Sequence, residues 1–482
     1  MSRKKKKGGG LRSALIVLIA VLIAATGVMI WMCVRLATAP QDTQAPAIQE
    51  TVAIPTVPPT EATIPETAVP KEPEHVVSTA TILSIGDLLM HGQLITDAQQ
   101  ADGSYDFSYI FPYITPYVTA ADYAAANLEV TLAGPSRPYQ GYPMFNSPDA
   151  IVDAAKNAGF DMLLTANNHM YDSGEDGFLR TVRTIREKGL TALGTREEAE
   201  EPAYTVQDIN GIKVGMVCYT YEQRPENYRS DRVYLNKNIL SATCSALVNS
   251  FVGTELDPFY TEIGGILEQM RNDGAEATVM FIHWGVEYQL TQNAEQQQIA
   301  QKLCDLGFDV IVGGHPHVVQ PVELLESTVN PEHRTVCLYS MGNAVSNQRQ
   351  GELTSITTAH TEDGAMFSMT FSKYSDGTVY LEDVALIPTW VRAIDVNGNT
   401  VVRRSGTIRR YEILPLDDSL RSQWQEQFGI DSSTLAQCAD SWQRTMDITG
   451  AGLTQSQDYL RAEKLAREAN YEWLAKLSLI HI

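Results

Sequence analysis

Five of the nine histidines, His91, His169, His283, His315 and His317, stand in short clusters with Asp, Glu or Asn. The clusters read GDLLMHG, NLE, ANNHMYDSG, HWGVEY and GGHPHVVQ, and they offer Asp87, His91, Glu129, Asn168, His169, His283, His315 and His317. Mixed imidazole and carboxylate donors suit Zn, Mn or Fe, and a carboxylate that can bridge is what a pair of ions needs. Two divalent transition metals about 3.5 to 4 Å apart activate a water and stabilise a departing oxygen. Each cluster also has a plain structural reading. Asp87 after an apolar run is a natural helix N-cap, Glu129 a surface acid, His169 a turn residue beside Asn-Asn, and His283 a hydrogen-bonded core histidine. GGHPH resists that treatment. Its two glycines allow close backbone approach, and two imidazoles flank one proline on a rigid turn. Five clusters of this kind at successive strand ends favour a site.

The elements that must carry these residues are short β-branched runs alternating with amphipathic helical stretches. TILSIGD, DYAAANLEV, PDAIVDAAKNAG and FDMLLTANNH are followed by VGMVCYTY, FYTEIGGILEQMRNDG, ATVMFIHWG, AEQQQIAQKLCDLG and FDVIVGGHPHVV. That rhythm predicts an α/β sheet architecture. The clusters fall where strands end, which is where open α/β sheets bind ligands. After about residue 411 the pattern turns helical and polar, with Trp424, Trp442 and Trp473 along it. It reads as an accessory helical region.

The chain has 482 residues, 44% hydrophobic and 20% charged, enough for a large core. Its net charge is -22, but the first 38 residues hold seven of the 36 bases and no acid, so the remainder carries 29 bases against 58 acids, or -29. So acidic a body excludes nucleic acid and anionic lipid as broad-surface partners. Residues 14–36, an apolar run behind the basic tail 1–13, predict a transmembrane signal anchor with a cytoplasmic amino terminus. A cleaved signal peptide ending near Ala37-Thr38-Ala39 is the competing reading. Either places the main domain outside the cytoplasm, and the anchor places it at the cell membrane as a single-pass protein. The Pro/Thr-rich linker 37–79 has eight prolines between residues 40 and 78 and reads as a semi-rigid extracellular stalk. Six cysteines without CxxC spacing predict buried thiols, Cys218 and Cys337 in particular. Residues 477–482, LSLIHI, look foreign to the preceding helix and match the translation of a sequencing adaptor.

The order GD, NLE, ANNHxxDxG, HWGxEY, GxHPHVxQ and YSxGN resembles the bacterial CapA family, named for capsule and poly-γ-glutamate biosynthesis, across roughly Thr81 to Asp395. The resemblance implies a domain at 80–395, a branch of the calcineurin-like metallophosphoesterase fold with a two-metal site, followed by the helical region 396–476. It makes Asp87 a metal-binding aspartate, Glu129 the bridging carboxylate and Asn168 the amide ligand. His283 and His315 would complete one ion and His317 the other, with His91 an additional ligand. His169 resembles the general acid, while Asp172, Glu287 and Asn343 would support these ligands from behind. The family usually reads YSLGNF where this chain has YSMGNAV, so Ala344 changes the pocket wall. The activity implied is metal-dependent hydrolysis or transfer on a phosphoester or a γ-glutamyl amide of an anionic surface polymer, handled transiently. The arginines Arg137, Arg224 and Arg349 are candidate contacts for its carboxylates. Two alternatives stand beside it: a non-catalytic subunit of a membrane polymer synthase complex, and a surface metallophosphoesterase unrelated to capsule.

Overall fold

The computed structural model describes residues 75–351, 357–395, 397–401 and 408–480. In chain order the strands are β1 (Val76–Leu88), β2 (Tyr123–Leu128), β3 (Met162–Leu164), β4 (Thr191–Leu193), β5 (Tyr204–Ile209), β6 (Ile212–Tyr221), β7 (Tyr234–Leu235), β8 (Asn238–Ile239), β9 (Ser250–Phe251), β10 (Ala277–His283), β11 (Val310–Gly314), β12 (Val322–Glu326), β13 (Arg334–Leu338), β14 (Asn343–Val345), β15 (Asp363–Tyr374), β16 (Val379–Asp395) and β17 (Ile408–Pro415). The first sheet runs β17-β16-β15-β1-β2-β3-β4, with β14 beside the end of β1. The second runs β12-β13-β11-β10-β6-β5, with β9 beside β6. β1 to β4 are mutually parallel, as are β6, β10, β11 and β13, and antiparallel strands extend each sheet outward.

Strand alternation sorts the apolar side chains into layers. Val214, Met216 and Cys218 of β6 and Val279 and Phe281 of β10 share a core with Ile82, Met162 and Leu164 of the first sheet. Their neighbours Val217, Tyr219, Met280 and Ile282 face the opposite way, toward helices Leu256–Asn272 and Ala294–Leu306. Leu83 and Ile85 of β1 likewise pack with helices Ala150–Ala158 and Gly174–Glu187. The order is therefore helix, sheet, sheet, helix, a layered α/β fold with mixed sheets, consistent with a metallophosphoesterase-like architecture.

Residues 408–415 form a strand on β16 before the chain turns helical. Helix Ser432–Ile480 then lies against both sheets. Gln457 donates to the Val384 carbonyl on β16 at 2.8 Å, and at Gly452 the helix approaches β12 so closely that a Cβ would stand 1.7 Å from the Val322 oxygen. Leu453 and Leu460 join the core between the sheets.

The membrane part of the sequence reading is corrected. No described helix is long and apolar enough to cross a membrane. The longest, Ser432–Ile480, is interrupted by charged residues throughout. The run 14–36 that suggested a transmembrane signal anchor lies outside the described residues, as does most of the linker 37–79. The anchor, the single-pass topology and the cell-membrane location with an extracellular main domain are therefore not supported.

Candidate metal centre

Asp87 lies at the end of β1, Glu129 directly follows β2, His283 ends β10, and His315 and His317 follow β11. Parallel pairing of β1 with β2 and of β10 with β11 aligns these carboxyl ends, bringing carboxylates of one sheet to imidazoles of the other. The glycines of the GD and GGH motifs permit close packing: a Cβ on Gly314 would lie 3.2 Å from Asp87 Oδ1 across the sheets, and within each sheet the backbone is tighter still. A Cβ on Gly86 would lie 1.8 Å from the Gly342 oxygen, and one on Gly313 would lie 2.0 Å from the Tyr339 oxygen. His315 and His317 have φ of 95° and 57°, left-handed conformations that residues with a Cβ adopt only when held there.

Two ligand groups result, Asp87 with Glu129 and His283, and Glu129 with His315 and His317. In each, one donor atom per residue lies within 4.8 Å of the others, and every member is buried. Glu129 is common to both, and neither of its oxygens has a hydrogen-bond partner. A buried carboxylate is costly in that state unless it meets a cation. The donors therefore fit a dinuclear site for two divalent ions, with Glu129 between them. Asn168 joins the first group, its Oδ1 2.8 Å from His283 Nε2. The grouping unites His315 with His317 and His283 with Asp87, whereas the family resemblance put His283 and His315 on one ion.

Surrounding hydrogen bonds set the imidazole faces. His317 Nδ1 stands 3.1 Å from Asp87 Oδ2 and 3.2 Å from Asn343 Oδ1. Asn343 spends its amide hydrogens on the His317 and Thr361 carbonyls and on Gln348 Oε1, so its oxygen faces the ring. Nδ1 thus carries the proton, leaving the Nε2 lone pair, 3.8 Å from Glu129, for an ion. His315 Nε2 meets Tyr221 Oη at 3.0 Å and its buried Nδ1 is unpartnered. Burial pushes His283 down to about 3 and His315 well below its ordinary range, so both are neutral, as ligands must be. Burial, then the charges of Asp87 and Glu287, drive the Glu129 carboxyl well up. Burial alone would raise Asp87, but the hydrogen bond with His317, together with that from the Asn127 amide, brings it below the usual carboxylate range.

His169 stands outside both groups. Its Nδ1 lies 2.7 Å from Asp172 Oδ2, and its ring meets the Phe145 edge at 4.7 Å. It directly follows Asn168, whose Oδ1 meets His283, and Phe145 packs against both its ring and that of His91, which places it beside the cluster. His91 is buried, with Nδ1 unpartnered and its ring 5.3 Å from Phe145, but it belongs to neither ligand group. Glu287 is exposed, and no described hydrogen bond joins it to a histidine. Ala344 packs in the core of the first sheet. The three arginines already have protein partners. Arg137 donates to the Ser173 carbonyl, Arg224 pairs with Glu222 at 2.9 Å, and buried Arg349 pairs with Glu362 at 2.7 Å. Cys218, Cys244, Cys304, Cys337 and Cys438 are free and buried; Cys33 lies outside the described residues.

Sequence reasoning missed Tyr221, Gln348 and Asn236. Asn236 Nδ2 donates to Asp172 Oδ1 at 2.9 Å from the turn of hairpin β7–β8, where Asn236 and Lys237 have φ of 44° and 64°. Positive φ at both central residues marks a two-residue hairpin turn, and Asn is a usual occupant. That was the available signal, though nothing in it indicates Asp172.

Two ligand triads sharing a carboxylate, with an imidazole–carboxylate pair alongside, form a metal-binding site of the hydrolase type. The chain is 27% identical over 241 residues to the capsule biosynthesis protein CapA of Bacillus anthracis, covering 47% of this chain and 51% of that protein. It is 26% identical over 270 residues to the PGA biosynthesis protein CapA of Bacillus subtilis (strain 168), covering 55% of this chain and 62% of that one. The matched stretch thus spans between half and two thirds of these curated relatives. The model of the bacterial capsule synthesis protein family PGA_cap matches residues 81–348, more than half of the chain and every residue of both ligand groups, and the chain belongs to that family.

Proposed function

We propose that this chain is a metal-dependent hydrolase or transferase of capsule metabolism, acting on a phosphoester or γ-glutamyl amide of an anionic surface polymer such as poly-γ-glutamate. The observation that carries the reading is Glu129, buried with neither oxygen in a hydrogen bond and common to two ligand groups. A structural ion needs one closed ligand set; a shared carboxylate suits two ions acting on one substrate. The relatives' names supply the polymer class. Bound ions supply Lewis acidity and activation of water. Asp87, Glu129, Asn168 and His283 would hold one, and Glu129, His315 and His317 the other. Asp172 fixes the His169 ring through Nδ1, leaving Nε2 as the end that protonates a leaving group. Asn236 and the Phe145 N–H both donate to Asp172, so this pair is braced on either side. A polymer synthase complex is the partner proposed for this activity.

The test is elemental analysis of the full chain against the His315→Ala/His317→Ala double variant, with phosphodiesterase and γ-glutamyl hydrolase assays. The expected result is close to two equivalents, reduced in the variant, and turnover falling about 10²- to 10⁴-fold in His169→Asn with metal retained. A folded wild type that takes up no metal would overturn the reading. Full turnover in His169→Asn would remove His169 as the acid.

A further inference from the structure

Tyr288 ends the HWGVEY run but belongs to neither ligand group. Its φ is 65°, a left-handed conformation that a bulky aromatic residue rarely adopts, and such strain concentrates at functional sites. The Tyr288 N–H donates to the Pro316 carbonyl at 2.8 Å, pinning the residue to the turn that carries His315 and His317. Its ring lies 6.2 Å from that of His317, tilted by 39°. The phenol oxygen accepts from Gln348 Nε2 at 3.3 Å. Gln348 is in turn fixed by Asn343 Nδ2, which donates to its Oε1 at 3.0 Å, and the oxygen of the same Asn343 amide faces His317. A polar chain thus runs from His317 through Asn343 and Gln348 to Tyr288. Because the Gln348 amide donates, the phenol is the acceptor in that bond and its own hydrogen stays available. No described hydrogen bond uses that hydrogen, and Tyr288 is 36% exposed beside an otherwise buried cluster.

We propose that Tyr288 is a substrate-contacting residue, donating its phenol hydrogen to an oxygen of an oxyanion held at the metal centre, on the side that carries His317. The inference rests on the two-metal reading above and deepens it. The oxyanion is a phosphoryl or carboxylate group, and the same hydrogen bond serves either. The Gln348 contact aims the hydroxyl, and the strained backbone keeps the ring over the His317 turn. No residue of either ligand group is asked to change role.

The experiment titrates the manganese-loaded full chain with inorganic phosphate and, separately, with glutarate, by calorimetry. Tyr288→Phe should retain its metal equivalents and melting temperature while losing about ten-fold or more in affinity for at least one probe, as a hydrogen bond to a charged group predicts. The more affected probe identifies phosphoryl or carboxylate chemistry. Tyr288→Asn, whose side chain tolerates left-handed backbone, should lose the same affinity and covers the case in which Phe does not fold there. Unchanged affinity for both probes in either folded variant overturns the proposal and leaves the two-metal reading standing. In wild type loaded with diamagnetic zinc and carrying 13C-labelled tyrosine rings, saturation with phosphate or glutarate that moves no tyrosine resonance overturns it without a variant. Failure of the wild type to load metal would instead remove the two-metal reading, and this inference with it.

Discussion

Replacing Glu129 with Gln keeps the side chain's shape and removes its charge, and opposite effects are expected with and without metal. Without ions, both carboxyl oxygens are buried and unpartnered, and the charge of Asp87 adds to burial in raising the group. An unmet buried polar group costs about 1–3 kcal/mol, more when charged, so an amide, which stays neutral without having to take up a proton on folding, should relieve part of a penalty of that order. With ions at about a hundred-fold excess over Kd, a site that binds only the folded state adds about 2.7 kcal/mol. Glu129 serves both groups, so Glu129→Gln should weaken both ions, whereas His283→Ala removes a donor from one group alone. Melting in chelator and in Mn2+, with elemental analysis alongside, reads both effects. In chelator Glu129→Gln should melt at or above wild type; in Mn2+ only wild type should rise, so their order reverses. Metal content should fall toward zero in Glu129→Gln and toward one equivalent in His283→Ala. A Glu129→Gln protein that keeps two equivalents, or is less stable in chelator by more than about 1 kcal/mol, refutes the shared-carboxylate argument.

Three further outcomes follow from other parts of the structure. Because the Glu129 carboxyl is raised, the metal-free folded protein holds a proton there above the ordinary carboxylate range of about 4.3, and ions must displace it. Metal affinity should therefore climb as pH rises through that raised titration, with proton release measurable by calorimetry in buffers of different ionisation enthalpy; affinity independent of pH would contradict this. Arg444 holds buried Asp363 through two hydrogen bonds of 2.7 and 2.6 Å, so Arg444→Ala should cost about 3–5 kcal/mol in denaturant unfolding, with metal content unchanged in the folded fraction. An acidic body repels a polyanion at long range, so added salt should preserve or increase the association rate with poly-γ-glutamate, and a rate falling steeply with salt would refute transient, metal-directed handling.

The α/β rhythm and the strand-end placement of Asp87, Glu129, His283, His315 and His317 were legible because each follows an apolar run long enough to mark a strand. Which histidines group with which carboxylate was not. That depends on how β10 and β11 of one sheet lie against β1 and β2 of the other, and strand periodicity carries no information about packing between sheets. Glu287 illustrates a second limit. Strand alternation ends at His283, and Gly285 and Tyr288 both have positive φ, so no periodicity predicts where the side chain at 287 points. Tyr221, Asn236 and Gln348 reach the site across 94, 64 and 60 residues to His315, Asp172 and Tyr288, without local motifs of their own. The accessory helices were legible as helices, but the Gly452 contact with β12 was not, because a glycine inside a helical run signals a close approach without naming what approaches.

Each ligand group crosses between the sheets. Asp87 and Glu129 come from the first sheet and His283 from the second; Glu129 comes from the first, His315 and His317 from the second. Neither sheet alone can assemble either triad, so the position of each ion depends on how the two sheets pack. That packing is set by the apolar layer between them, where Ile82, Met162 and Leu164 meet Val214, Met216 and Phe281. It is set again by helix Ser432–Ile480, which lies on β12 of one sheet and β16 of the other and adds Leu453 and Leu460 to the same layer. The helical region thus braces the geometry of the site from a distance, since a shift of one sheet against the other would separate Glu129 from the imidazoles. Conversely, two bound ions would join the sheets at the site end, so metal binding and sheet packing stabilise one another.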